Sequence, residues 1–482
     1  MELITVKRYD ETYDIIECDP GTAMEVSSYF TFEVPGAKFM PAYKTRMWDG
    51  KIRLFNAMSR LLYCGLRSHL EKFCKSRDYK IEYEGIDGDD EFSMLEAEEF
   101  IKKLNPKMIP RDYQIDAFVH AVRKRRSLLL SPTASGKSFI IYLLTRYYHA
   151  RTLIIVSTTS LVSQLASDFN DYGLDSDTLV HRIYSGQDKQ TTKPITVSTW
   201  QSLYKLPKEY FEQFDVVIGD EAHLFKAKSL TGIMTKLNQC KYKFGFTGTL
   251  DGTQTHELVL EGLFGPVRKV ITTSELMKQD HLAQLRIKAL VLEYPMDIRK
   301  VMAGSDYQAE IDFLVRNDAR NKFLKNLVLS LNGNTLMLFQ YVEKHGKVLY
   351  DMIAKAACDR NVFFISGEVN GDKREEIRHI IENEKNAIVV GSYGTVSTGI
   401  NIRNLHNIVF ASPSKSRIRN LQSIGRGLRK SDDGTTTTLF DIADDLTYKS
   451  KKNFTVLHFV ERIKIYNEED FDYKIYNINL GA

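Results

Sequence analysis

The sequence predicts an α/β fold: two doubly wound parallel-sheet domains in tandem, preceded by a small α+β domain. Three observations carry this. Short apolar runs alternate with helical patterns twice, first from near Ile109 and again after Pro295. The loop Ser131-Pro132-Thr133-Ala134-Ser135-Gly136-Lys137-Ser138 joins an apolar run to a helical one. The carboxylates Asp220 and Glu221 close a third kind of segment, the apolar run Val216-Val217-Ile218.

Residues 1–105 read as the small domain. Asp49-Gly50 separates two alternating segments between Phe39 and Leu54, the strongest short hairpin signal. A two-residue turn there puts Lys44, Arg46, Trp48, Lys51, Arg53 and Phe55 on one face. Tyr43, Thr45, Met47, Ile52 and Leu54 take the other, the expected core face. The first face sets Arg46 opposite Arg53, which is unfavourable without an anion over it. It therefore reads as a phosphate-binding surface on which Trp48 can stack a ring, or else as a solvated face whose cationic stems cover the two aromatic rings. Lys38 to Arg77 is basic. The stretch from Glu82 to Glu99 is acidic and reads as a solvated face or linker, with Gly85 to Asp90 the connection.

Residues 106–275 form the first α/β domain, with strands expected at Leu128–Leu130, Leu153–Ser157, Ile195–Thr199, Val216–Gly219 and Phe244–Thr247. Residues 276–450 form the second. Its strands are expected at Leu336–Phe339, Val362–Ile365, Ile388–Gly391, Ile408–Ala411 and Thr438–Asp441, with helices at Glu343–Ala357 and Asp372–Asn383 among them. Two such domains leave a cleft between them. The end, 451–482, reads as an appendage with a helical piece (Val456 to Tyr466) packing on one of the sheets.

The chemistry sits on the strand ends. A loop between strand and helix that carries Gly136-Lys137-Ser138 can turn its backbone N–H groups and the helix N-terminus onto a phosphate. Lys137 supplies charge to the β- and γ-phosphates, and the Ser138 hydroxyl is a ligand for Mg²⁺. Asp220 faces the crevice at the carboxyl ends of the strands and holds the same ion through its water shell. Glu221 orients and deprotonates the attacking water. Gln422-Ser423-Ile424-Gly425-Arg426-Gly427-Leu428-Arg429 sets Arg426 and Arg429 three apart, on one helix face. From the opposing domain these arginines would reach the transition state only when the domains close.

The chain resembles the superfamily 2 helicases across both α/β domains, which implies RecA-like sheets, ATP and Mg²⁺ as cofactors, and a nucleic-acid substrate. Arg111-Asp112-Tyr113-Gln114 is similar to the adenine-reading motif, so Arg111, Tyr113 and Gln114 join Pro132, Thr133, Ala134, Ser135, Gly136, Lys137 and Ser138 as ATP contacts. Thr158 to Gln164 resembles motif Ia, Asp220 to His223 a DEAH-form motif II, Thr247-Gly248-Thr249 motif III, Ser392 to Ile400 motif V and Gln422 to Arg429 motif VI. The resemblance implies that His223, Thr247 and Thr249 couple nucleotide to nucleic acid, and that Gln422 acts in the catalytic motif. It implies that Thr158, Thr159, Thr199, Thr395 and Thr398 grip the phosphate backbone, contacts that position without reading sequence. Gln422 and His223 point to DNA-directed members. Tyr43 to Leu54 resembles the accessory domain of the UvsW-type bacteriophage helicases, which migrate Holliday junctions, regress forks and unwind R-loops.

Composition bounds these readings. The 482 residues suffice for about three domains. A net charge of +4 is weak evidence for a polyanionic partner. The five cysteines are scattered with no C-x-x-C pair, which argues against zinc and for a reducing compartment. The first residues lack a signal-peptide core, and no apolar run reaches bilayer length. The expectation is a cytoplasmic protein, in a host cell if phage-encoded. Its partners are branched or double-stranded DNA, RNA–DNA hybrids, and phage recombination or single-strand-binding proteins. The competing readings are an RNA helicase and an ATP-gated binding or annealing module.

Overall fold

The computed structural model describes residues 2–184, 186–367, 376, 380, 381, 383–399, 404–412, 414, 416–428 and 436–481. Of the side chains at 226, 397–399, 418, 426 and 427 only the backbone state is described. The chain divides into two compact units: Met1–Ser131 with Gly136–Ile271, and Thr272–Ala482 with the loop Pro132–Ser135.

The first unit begins with a mixed sheet. Its strands are β1 (Leu3–Arg8), β2 (Tyr13–Glu17), β5 (Phe55–Asn56), β6 (Leu61–Tyr63) and β7 (Lys80–Glu84), in the order β5-β6-β2-β1-β7. A separate ribbon pairs β3 (Thr31–Glu33) with β4 (Lys51–Arg53). The expected hairpin at Asp49-Gly50 is not formed. β4 pairs antiparallel with β3, Phe32 against Ile52, and the connection between them holds the helical turn Pro41–Lys44. The reason is local. Pro41 sits at the first helical position, where its fixed φ favours a turn, and Thr45 Oγ1 closes that turn on the Pro41 carbonyl. Met47, expected in the core, is 84% exposed.

A seven-stranded sheet follows, every pair parallel: β8 (Arg126–Leu130), β9 (Thr152–Val156), β10 (Val180–Ile183), β11 (Ile195–Thr199), β12 (Val216–Asp220), β13 (Tyr242–Thr247) and β14 (Val267–Lys269). Their order is β10-β11-β9-β12-β13-β8-β14. Central strands covered on both faces read as continuous apolar runs, and the five expected strands are these. Gly219 and Gly245 pair in register on β12 and β13. A Cβ on either would stand within 3.0 Å of the Phe264 ring, so the glycines form the slot in which the helix Gln254–Phe264 seats.

That helix also receives the N-terminal sheet. A Cβ on Gly65 would fall 1.8 Å from the Glu261 carbonyl oxygen, and His69 Nε2 lies 2.6 Å from Glu261 Oε2. One apolar cluster runs from Ile4 and Phe73 through to Leu128 and Phe264. Gly65→Val is therefore expected to lower the melting temperature by a clear step, since overpacking against backbone costs about 1–3 kcal/mol. Differential scanning calorimetry checks it.

Lys243, 1% exposed on β13, donates to Thr12 Oγ1 at 2.9 Å. Burial, with Arg126 nearby, brings its ammonium down to about 8. The folded state thus binds fewer protons than the unfolded one between about pH 8 and the ordinary lysine range, and stability gains as pH rises through that window. Lys243→Met is expected to raise the melting temperature more at pH 7 than at pH 9.5. The acidic stretch is also tied down: Lys124 meets Asp89 at 2.5 Å, and Arg125 meets Asp87 at 3.3 Å and Asp90.

The second unit is another parallel sheet, seven-stranded among the described residues. It comprises β15 (Leu285–Glu293), β16 (Thr335–Phe339), β17 (Val362–Ile365), β18 (Ile388–Ser392), β19 (Asn407–Phe410), β20 (Thr437–Asp445) and β21 (Tyr473–Asn479), in the order β17-β18-β16-β19-β20-β15-β21. The strand β15 precedes the expected start at Pro295. The tail does more than pack on a sheet: after the helix Phe454–Glu468, β21 joins β15 as an edge strand. The helix expected at Asp372–Asn383 falls largely outside the described residues. No helix among the described residues is long and apolar enough to cross a membrane.

Candidate nucleotide and DNA sites

The phosphate loop lies between β8 and the helix Lys137–Tyr148. Ala134 (φ 65°) and Gly136 (φ 79°) both take left-handed backbone, and Gly136 is the residue before the first helical turn. A Cβ on Gly136 would stand 2.2 Å from Gln114 Nε2, so only glycine fits against that amide. Ser135 folds onto the Pro132 carbonyl through its hydroxyl, at 2.6 Å. Gln114, 2% exposed, accepts the Arg111 N–H at 2.9 Å, and Arg111 Nη1 donates to the Tyr113 hydroxyl at 2.7 Å. The three expected base-site residues are thus one hydrogen-bonded group beside the loop.

Lys137 Nζ donates to Glu221 Oε1 at 3.4 Å and lies 3.8 Å from Asp220 Oδ1. β12 delivers both carboxylates, and Glu221 (φ 52°) turns its side chain out of the strand line. For a residue other than glycine that is a strained conformation, of the kind that collects at functional sites. Burial lifts Asp220 above the ordinary carboxylate range, with Lys137 opposing. Burial acts likewise on Glu221, but the Lys137 ammonium and His223 outweigh it and hold Glu221 at about 2. Glu221 is therefore ionised at neutral pH. Its Oε2 is buried with His223 Nδ1 3.3 Å away, and as a carboxylate oxygen it can still accept from a water, as a general base must.

His223 Nδ1 stands 3.0 Å from Thr247 Oγ1 and 3.3 Å from Glu221 Oε2. Thr247 donates its hydroxyl proton to the Thr249 carbonyl at 3.0 Å, so it accepts from His223, which fixes the Nδ1–H tautomer. The expected coupling residues His223, Thr247 and Thr249 are a continuous polar chain leading from Glu221. Ser138 Oγ meets the Tyr172 hydroxyl at 2.7 Å, a partner that sequence reasoning missed. Asp220 and Ser138 are hard oxygen donors suited to Mg²⁺, which commonly takes one or two protein ligands and fills its shell with water and phosphate.

In the N-terminal region Lys38, Tyr43, Lys44, Arg46, Trp48 and Asp49 line one concavity of about 620 Å³. Lys44, Arg46 and Trp48 are together as expected, though on a helical turn and loop rather than a hairpin face. Lys38 joins them, and it was not singled out from the sequence. Arg53 is not beside Arg46; it forms an ion pair with Asp49 at 2.5 Å. Lys51 contributes its carbonyl to Trp48 Nε1 at 2.8 Å. Elsewhere in this unit, Thr158 caps the helix Thr159–Tyr172 at the end of β9, and Thr199 ends the neighbouring β11.

Residues 3–84 match the family described as DNA helicase UvsW, N-terminal. Residues 107–252 match the res subunit of type III restriction enzymes, and 319–431 the helicase conserved C-terminal domain. Over 504 aligned residues the chain is 36% identical to the ATP-dependent DNA helicase uvsW of Enterobacteria phage T4, covering 99% of this chain and 100% of that protein. The chain belongs to the UvsW-type ATP-dependent DNA helicases. The crystal structure of T4 UvsW matches over 99% of both chains with a TM-score of 0.53. A DNA 3′-5′ translocase, XPB2 of Sulfurisphaera tokodaii, is 29% identical over 46% of this chain and 48% of its own. A fragment of an HsdR restriction subunit from Vibrio vulnificus shares the fold at 17% identity, with a TM-score of 0.59 over 97% of this chain and 86% of its own.

In this UvsW-type helicase the second unit carries the remaining expected residues. Thr395 is 6% exposed and accepts from the Ser392 hydroxyl at 2.8 Å, so its hydroxyl is already engaged. Gln422 is half-buried on the helix Arg417–Gly427. Arg426 is described only as a residue of that helix, Thr398 only as a residue of Tyr393–Gly399, and Arg429 lies outside the described residues.

Proposed function

We propose that this UvsW-type helicase couples ATP hydrolysis to the remodelling of branched DNA: Holliday-junction migration, fork regression and R-loop unwinding, in phage recombination, repair and replication. The observation that carries the reading is the basic and aromatic concavity of Lys38, Lys44, Arg46 and Trp48, in the same compact unit as Lys137, Asp220 and Glu221. Three cations there suit phosphates, and the indole suits an unpaired base.

The roles divide as follows. Residues 1–105 engage DNA, 106–275 bind and hydrolyse ATP, 276–450 supply the second motor domain, and 451–482 complete its sheet edge. Lys137 binds the β- and γ-phosphates, and Glu221 takes the proton of the attacking water. Ser138 and Asp220 would hold Mg²⁺, and the ion would supply positive charge against the phosphates. The chain His223–Thr247–Thr249 reports the state of Glu221 towards the DNA path, which Thr158, Thr159 and Thr199 line.

ATPase assays with single-stranded, duplex, forked and four-way DNA and with structured RNA test the reading. Stimulation greatest by branched DNA is expected; stimulation by RNA alone would make the protein an RNA helicase. Replacing Lys38, Lys44 and Arg46 together by alanine should weaken four-way-junction binding. It should also reduce the slope of log affinity against log salt by about 3, one unit for each lost phosphate contact.

A further inference from the structure

The second unit holds a pocket for which the ATP chemistry has no use. It lies at the carboxyl ends of β16 and β19, lined by Gln340 from one strand exit and by Ser412 and Ser414 from the other. β16 and β19 are neighbours, with β17 and β18 on one side and β20 on the other. A doubly wound sheet leaves a crevice at such a reversal of strand order. The helices Tyr307–Arg316 and Phe454–Glu468 wall it. The cavity measures about 440 Å³, the size of a small-molecule site.

Its described lining carries Arg320 and Arg419 and no carboxylate. Arg320 is 1% exposed. Asp444 accepts from its Nε and Nη2 at 2.7 and 3.0 Å, and the Ala411 carbonyl accepts from Nη2 at 2.8 Å. Nη1 is buried with no hydrogen-bond partner. A structural ion pair accounts for the first two nitrogens but not for the third. A buried donor left unbonded costs free energy that an incoming acceptor recovers. Arg419 lies over the Tyr393 ring and donates to the uncharged Gln340 Oε1 at 2.5 Å. Ser412 Oγ is held in place, accepting the Gln340 N–H at 3.1 Å with His345 Nδ1 3.3 Å away. The other helices contribute aromatic surface: Tyr307 and Phe454 meet edge-on, centroids 5.9 Å apart.

We propose that this pocket binds a nucleoside 5′-phosphate, with the phosphate on Arg320 and Arg419 and the base against Tyr307 and Phe454. Guanidinium groups and hydroxyls recognise the phosphate, and an aromatic wall takes any base. The same chemistry is offered by a free nucleotide and by the 5′-phosphorylated end of a DNA strand.

The test uses the full chain carrying Lys137→Ala, which weakens the ATP site, titrated calorimetrically with deoxyadenosine monophosphate, inorganic phosphate, and one oligonucleotide with and without a 5′-phosphate. Saturable binding of the mononucleotide, or of the phosphorylated strand at least threefold tighter than its unphosphorylated twin, is expected. The first identifies a free nucleotide as the occupant, the second a strand end. Arg419→Ala should weaken that binding at least tenfold. Arg320→Lys, which keeps a charge beside Asp444 but removes the third nitrogen, should do the same, with a lowered melting temperature because the paired guanidinium contacts are lost as well. If Arg320→Lys unfolds the chain, Arg419→Ala decides. Absence of saturable binding by either probe, or affinity unmoved by Arg419→Ala, would overturn the proposal.

Discussion

Replacing Glu221 by glutamine is expected to leave ATP binding intact and to cut turnover by about 10²- to 10⁴-fold, the range for a positioned general base. The substitution keeps the shape of the side chain and its contact with Lys137, but removes the charge that makes Oε2 a base. Single-turnover hydrolysis beside a nucleotide-binding titration separates the two effects. Near-normal turnover would take Glu221 out of the base role. Lys137→Ala should differ in kind, since it removes the only cation within 4 Å of both Asp220 and Glu221 among the described residues. Binding of ATP should fall along with its hydrolysis.

The second large effect is expected at motif VI. Arg426→Ala or Arg429→Ala should lower ATP turnover by about 10³-fold, roughly 4 kcal/mol, while leaving KM nearly unchanged. This rests on the three-residue spacing of the pair in the sequence, on the place of Arg426 in the helix Arg417–Gly427, and on the proposal that the second motor domain supplies transition-state charge. Measured kcat and KM decide it. A raised KM with unchanged kcat would make the arginine a ground-state contact.

The parts of the candidate nucleotide site were legible because each is local in sequence: loop, strand end and carboxylate pair each occupy a few consecutive residues. The central strands were legible for a related reason, burial on both faces, which writes Leu153-Ile154-Ile155-Val156 as an unbroken apolar run. Edge strands carry no such mark. β10 is Val-His-Arg-Ile, β14 has three residues, and the side chains of β21 are mostly exposed. β15 escaped because Arg286 and Lys288 interrupt it. The N-terminal hairpin misled because alternation in Tyr43 to Leu54 satisfied a strand pattern while Pro41 and the distant partner Thr31–Glu33 decided the structure. The pocket of Arg320 was invisible for the opposite reason: its walls come from segments spread from Tyr307 to His458.

In the proposed function, ATP hydrolysis at Lys137 and Glu221 drives the remodelling of branched DNA. Its most direct test is a strand-exchange assay on a synthetic four-way junction with homologous arms, followed by gel separation of products. The protein is expected to convert the junction to duplex products with ATP and Mg²⁺, and Glu221→Gln to bind the junction without converting it. Conversion by Glu221→Gln at the parent rate, or no conversion by a parent protein that hydrolyses ATP on the same junction, would contradict the proposed function.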